Sequence, residues 1–294
     1  MFEEFRNAFQ KPNNAHVQLI IINVVMFLAL AVLYVFSTVS GFKAFFDIVH
    51  SQFSIPPQFV EFITRPWTIF TYAFAHSLTD IFHILFNMLA LYWFGKLFIE
   101  YMGSDKLLAL YLLGALAAGT VYLLVFNTIP FFKERSTFSG MVGASGAVFA
   151  VMVAAATLLP NYTFFMLFLG PIKIKYIAAF YIVLSFLGSV GGNAGGNIAH
   201  LGGALMGFVY IKQLQIGVNW GGWITSTLDW FKGLFASRPK VKVTYRKTEP
   251  KKPVSGFTRA SQDEIDVILD KISDRGYESL TKDEKEKLFN ASKK

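Results

Sequence analysis

The sequence predicts an all-α membrane protein: a bundle of six transmembrane helices followed by a cytoplasmic helical tail. Three observations carry that expectation. The first is composition. Of 294 residues, 54% are hydrophobic and 16% charged, with 32 phenylalanines; soluble domains carry about 25% charged residues. The second is a series of apolar runs near the ~20 residues that a helix needs to cross a bilayer. The third is the placement of charge. From Lys212 onward there are 17 Lys/Arg and 11 Asp/Glu, against 10 and 8 in the first 211 residues, so the basic excess belongs to a tail. There is no cysteine, which excludes disulfides, zinc–thiolate sites and thiol nucleophiles.

The expected spans are Val17–Val39, Ile81–Phe98, Leu107–Phe126, Ser145–Leu159, Tyr176–Val190 and Ile198–Ile216. The first lacks a small-residue cleavage signature and is too long for a signal peptide. The fourth and fifth are short and need neighbours to shield their ends. Between the first two spans, residues 40–80 are too apolar for a solvated loop yet broken by Pro56, Pro57 and Pro66. They are expected to lie half-submerged on the outer leaflet.

Six spans put both termini on one side. Arg238, Lys240, Lys242, Arg246, Lys247, Lys251 and Lys252 follow the last span, and such a cluster stays cytoplasmic under the positive-inside rule. Spans two, four and six then all enter from the external face. The expected location is a bacterial cell (inner) membrane, because the N-terminus lacks a transit-like composition.

That parity brings polar residues to one level. His83 and Asn87 fall in the first two turns of span two, Ser145 opens span four, and His200 is expected in the first turn of span six. Any one of them has a plain structural explanation. A serine in an apolar helix ordinarily returns its hydroxyl to a carbonyl three or four residues back. Four such groups at similar depth are better explained by one shared site, because a polar group in hydrocarbon is costly unless it faces the bundle interior.

Packing signals agree. Gly146-x-x-x-Ala150-x-x-x-Ala154 in span four and His200-x-x-Gly203-x-x-x-Gly207 in span six are small-residue faces that let helix backbones approach closely. If they meet, Ser145 and His200 come together. A serine needs a base to become a nucleophile, and histidine is the usual one. No Asp or Glu lies deep in any span to orient the imidazole, so the arrangement is a dyad held by packing. Asn87, His83 and the Ser145 backbone N–H are candidate donors to a developing oxyanion.

"HILFNM" in span two, "GASG" opening span four and "AHLGGALMG" in span six resemble the three signature segments of rhomboid intramembrane serine proteases. The resemblance covers about residues 60–215. It implies a rhomboid-like bundle of bacterial type in which Ser145 is the nucleophile and His200 the general base. His83, Asn87 and the Ser145 amide would form the oxyanion hole. Gly143, Gly146, Gly203 and Gly207 would support them. Phe149, one turn after the serine, resembles an aromatic, usually tyrosine in the family, that backs the catalytic histidine. The family often carries Trp-Arg in the first external loop; here Arg65 precedes Trp67 in "RPWT", which leaves the role of Arg65 open.

The implied activity is hydrolysis of peptide bonds in or near transmembrane segments of membrane proteins, with no cofactor, metal or nucleic acid. Membrane lipids and transmembrane substrates are the expected partners. The alternative is an inactive scaffold of the same fold that binds membrane clients. A transporter would call for mid-membrane acids or broken helices, and the sequence contains neither. Ahead of His200, "GSVGGNAGG" reads as a hinge-like connection or a loose turn.

The chain divides on paper into a membrane domain (1–216), an interfacial amphipathic helix (217–236), a basic linker (237–260) and a small helical hairpin (261–294). Trp220, Trp223, Thr227, Phe231, Leu234 and Phe235 give the second of these an interfacial stripe. In the hairpin, Ser261 with Glu264 and Thr281 with Glu284 are capping-box patterns, and Gly276 marks a stop. Ile265, Ile268, Leu269 and Ile272 form an apolar stripe that is thin for an independent core. Docking onto a cytoplasmic partner or onto the chain's own membrane domain is a use for it.

Overall fold

The computed structural model describes residues 6–9, 13–134, 140–166, 170–235 and 262–292. The chain forms two units, Met1–Ala236 and Ser237–Lys294. The first holds the helices α1 (Ala15–Val39), α2 (Lys43–Ser51), α3 (Ile81–Met102), α4 (Ser104–Thr128), α5 (Ser145–Leu158), α6 (Ile174–Gly188), α7 (Ala194–Gln215) and α8 (Gly222–Phe235). The second holds α9 (Gln262–Arg275) and α10 (Lys282–Ala291). The first unit is an all-α membrane bundle with one small sheet.

Among the described residues, three helices, α1, α3 and α4, are long and apolar enough to cross a membrane, and α5 and α6 are shorter apolar helices. α7 has 22 residues, but its glycines, Asn197, His200 and terminal Lys and Gln residues make it less apolar than those three. It begins at Ala194, earlier than the sequence suggested, so His200 lies in the second turn and not the first. Gly195 and Gly196 are therefore helical and not part of a hinge. A Cβ on Gly195 would sit 2.8 Å from Cε2 of Tyr122, so that glycine serves close approach of α7 to α4.

α5 is the centre of the bundle. Residues 146–148 and 150–156 are buried, which is why the helix is apolar all round. Its 14 residues rise only about 21 Å, less than the ~30 Å of a bilayer's hydrocarbon core. The expected meeting of small faces is present. A Cβ on Gly203 would run into the backbone carbonyl of Gly146, and one on Gly207 into that of Ala150. Gly114 of α4 closes the other side, with its place for a Cβ 2.5 Å from Ala150 Cβ. A buried chain joins α1, α4 and the loop: Asn23 Nδ2 donates to the Tyr111 hydroxyl (3.2 Å), which donates to the Ala73 carbonyl (2.7 Å).

The connection between α1 and α3 is folded. It holds α2, short helices at Phe59–Thr64 and Thr68–Thr71, and a 3₁₀ turn at Tyr72–Phe74. Phe42, Phe45, Ile48, Val60 and Ile63 on it are exposed, as suits a segment lying in a membrane interface. Arg65 ties it together: Nη1 donates to the Ser51 carbonyl (2.7 Å) and Nη2 pairs with Glu61.

A hairpin between α5 and α6 departs from the sequence reading. β1 (Thr163–Met166) pairs antiparallel with β2 (Gly170–Lys173), Phe164 opposite Ile172. Gly170 has φ +72, a turn conformation open to glycine. Phe164 meets Phe94 of α3 edge-on, ring centroids 5.4 Å apart. Two strands this short carry too little periodicity to be read from a single sequence.

α8 buries Ile224 and exposes Trp220 before it, then Trp223, Trp230 and Phe231. In the second unit, Thr281 caps α10 in a complete capping box with Glu284. Lys271 Nζ reaches both Glu284 oxygens, at 2.9 and 3.0 Å. Ile268 and Leu280 are buried, whereas Leu269 is exposed, so the apolar stripe is narrower than expected. Ser261 and the basic linker lie outside the described residues.

Candidate active site

Ser145 is the first residue of α5, and the chain enters it through an extended segment held on both edges. Ile55 and Met141 exchange backbone hydrogen bonds of 3.0 and 2.8 Å, and the Gly143 N–H donates to the Tyr72 carbonyl at 3.0 Å. Irregular backbone at membrane depth is tolerated where protein satisfies it; here the first loop does so. Gly143 has φ +141, a region that L side chains rarely adopt. A Cβ there would lie 3.1 Å from His83 Cε1, 3.2 Å from His83 Nε2 and 3.5 Å from Ser145 Oγ. The missing side chain is what lets the His83 ring and the Ser145 hydroxyl approach one another.

His200 is fixed on two sides. Its ring stacks on Phe149, centroids 4.1 Å apart and planes 10° from parallel. Phe149 is itself braced edge-on by Tyr181 of α6, at 6.3 Å and 83°. On the edge, His200 Nδ1 lies 3.0 Å from the Ser185 hydroxyl. Ser185 is buried on α6 and was invisible to sequence reasoning, which left the ring to packing alone. The signal that could have found it is a serine set among the apolar residues of that span, the same kind of signal that drew attention to Ser145.

His83 and Asn87 share one face of α3, and Asn87 Nδ2 donates to the His83 carbonyl at 2.7 Å, leaving its second N–H for another acceptor. A further histidine was also missed. His76 is fully buried, 5.5 Å ring to ring from His83. Its two nitrogens have no hydrogen-bond partner among the described residues.

A cavity of about 2480 Å³ connects these groups, with Ser145, His200, His83, Asn87, Phe149 and Ser185 all in its wall. It continues between α3 and α6, past Phe86 and Trp93 on one side and Tyr181 and Leu184 on the other. No hydrogen bond joins Ser145 to His200 in this structure. Such contacts often tighten only when substrate binds. Gly203 and Gly207 lie on the α5 contact, below the cavity. No cluster of three or more His, Cys, Asp or Glu that could hold a metal occurs among the described residues.

Comparison with known proteins agrees with this architecture. The rhomboid domain model matches residues 64–215, and the chain belongs to the rhomboid family. It is 35% identical over 163 residues to RHOMBOID-like protein 12, mitochondrial, of Arabidopsis thaliana, covering 52% of this chain and 48% of that protein. It is 31% identical over 159 residues to Rhomboid protein 1, mitochondrial, of Saccharomyces cerevisiae, covering 51% and 42%. The chain therefore spans less than half the length of these relatives. A second model, for a family of unknown function (DUF6576), matches residues 258–294.

Proposed function

We propose that this chain is an intramembrane serine endopeptidase working through a Ser145–His200 dyad. The observation that carries the reading is the convergence on one cavity of Ser145, His200, His83 and Asn87 from three separate helices. Ser145 Oγ attacks the carbonyl carbon of a substrate peptide bond while His200 Nε2 takes its proton. The negative charge that develops on the carbonyl oxygen is met by donors from Asn87, His83 and the Ser145 N–H. His200 then protonates the departing amine, and water hydrolyses the acyl-enzyme by the reverse sequence. Ser185, as an acceptor at Nδ1–H, keeps Nε2 as the basic nitrogen.

Substrates in this reading are membrane proteins whose transmembrane helix unwinds near the cut, since an intact helix hides its carbonyls. The passage between α3 and α6 is the entry. The same reading makes the chain a six-span protein with both termini on the cytoplasmic face, or on its matrix counterpart. The names of two relatives place those proteins in mitochondria. That favours a mitochondrial inner membrane over the bacterial cell membrane expected from the sequence, and subcellular fractionation decides between them.

One observation favours a second reading, an inactive scaffold that binds membrane clients: Ser145 and His200 are not hydrogen-bonded. The test is cleavage of a single-span reporter in proteoliposomes by the wild type, Ser145→Ala and His200→Ala. Cleavage lost in both variants supports the protease. Reporter bound but never cut by the wild type supports the scaffold.

A further inference from the structure

A second polar cavity, of about 290 Å³, lies where α3 ends, α4 begins and α7 approaches α8. Ten residues of α7 separate Tyr210 in its wall from His200, about 15 Å along the helix axis, so it is distinct from the candidate active site. From its hydrogen bonding, we infer that it binds a phosphoryl group.

The argument starts from Tyr210. It is fully buried, and its hydroxyl has no hydrogen-bond partner among the described residues. A buried tyrosine hydroxyl usually finds one, and leaving it unmade costs the desolvation of that group. Gly221 packs closely beside it: a Cβ there would lie 3.1 Å from the Tyr210 hydroxyl and 2.5 Å from Ala109 Cβ, an approach that only glycine allows.

Among the other polar side chains in the wall, Thr225 spends its hydroxyl hydrogen on the Gly222 carbonyl (2.9 Å), whereas three have an acceptor oxygen engaged. Asn13 Oδ1 accepts from the Ser104 N–H (3.4 Å), and Asn219 Oδ1 accepts from the Gly221 N–H (3.0 Å). Ser104 Oγ accepts from the Ala15 N–H (3.1 Å). What these groups have left to offer is two amide NH₂ groups and a hydroxyl hydrogen. Tyr210 adds a hydroxyl, Lys106 a cation, and the first turn of α4 the backbone N–H groups of Asp105 and Lys106. A wall of donors around one lysine fits an oxygen-rich anion. Asp105 is the one acid lining it and is exposed to solvent.

Phosphate in this position has two sources, a lipid headgroup or soluble phosphate. Trp220 and Trp223, both exposed, sit beside Asn219 and Gly221, and tryptophan favours the headgroup level of a bilayer. The inference does not depend on the chemistry at Ser145.

The test uses delipidated full-length protein in detergent, as the wild type, Tyr210→Phe and Lys106→Gln. Thermal unfolding and native mass spectrometry are followed while short-chain phosphatidylglycerol, inorganic phosphate or phosphate-free diacylglycerol is added. The expected result is stabilisation and one tightly retained phosphatidylglycerol in the wild type, weakened ~10-fold in each variant, with no effect of diacylglycerol. Stabilisation by inorganic phosphate as well, lost in the same variants, identifies soluble phosphate as the source. Equal binding by the variants, an equal effect of diacylglycerol, or no effect of either phosphate source overturns the inference. Lys106→Gln, at a partly exposed position, keeps the test valid if Tyr210→Phe folds poorly.

Discussion

The Ser185 hydroxyl sits 3.0 Å from Nδ1 of His200, on the edge of a ring whose face is covered by Phe149. In a bundle with no buried carboxylate beside the histidine, this serine is the one side chain hydrogen-bonded to the ring among the described residues. In the proposed dyad it is a positioning residue.

Ser185→Ala should therefore lower kcat with little change in KM or thermal stability. A hydrogen bond to a group that becomes charged is worth about 1.5–3 kcal/mol, so the expected loss is ~10- to 100-fold. Steady-state kinetics on a reporter substrate checks it, and partial rescue by Ser185→Thr separates positioning from packing.

Phe149 tests the face of the same ring. Stacked aromatic pairs are worth about 0.5–1.5 kcal/mol beyond their buried area. Phe149→Ala should cost ~2- to 10-fold in kcat, whereas Phe149→Tyr should keep full activity. A Tyr variant as impaired as Ala would mean that the ring's shape, and not its stacking, is what the site needs.

The α5–α7 contact has no room for one methyl group. Gly203→Ala drives a Cβ into the Gly146 carbonyl, next to Ser145, and overpacking of this kind costs about 1–3 kcal/mol. Thermal unfolding in detergent should show a clear drop in Tm. Gly192→Ala, at a position with nothing within 4 Å, should leave Tm unchanged.

Glu284 governs acid sensitivity in the second unit. The Thr281 N–H, then Lys271 and the Thr281 hydroxyl, hold its carboxyl down from 4.5 to about 2. A depressed carboxyl contributes stability that is fully present above its ordinary value and lost as pH falls through the folded one. The hairpin should thus stay capped at pH 5 and lose that contribution between about 4.5 and 2. Carbon-detected NMR of ¹³C-glutamate-labelled protein, assigned with Glu284→Gln, reads the midpoint. Thr281→Ala should move it upward.

Much of this site was legible in the sequence, because hydrocarbon makes polar residues conspicuous: His83, Asn87, Ser145 and His200 stood out from their apolar runs. The Gly203 and Gly207 face was legible through its four-residue spacing. Ser185 and His76 were not, because each is a single small signal whose meaning depends on which helix stands opposite. The start of α7 was misjudged because Gly195 and Gly196 have low helix propensity, and tertiary contact with Tyr122 overrides it. The β1–β2 hairpin was missed because its strands are four residues each.

The central claim is that Ser145 is an activated nucleophile, and covalent labelling by a fluorophosphonate probe tests it most directly. The assay compares the wild type with Ser145→Ala and His200→Ala at matched folding. Labelling of the wild type, absent in Ser145→Ala and strongly reduced in His200→Ala, is the predicted result. A folded wild type that takes up no probe, or labelling that survives loss of Ser145, would contradict it.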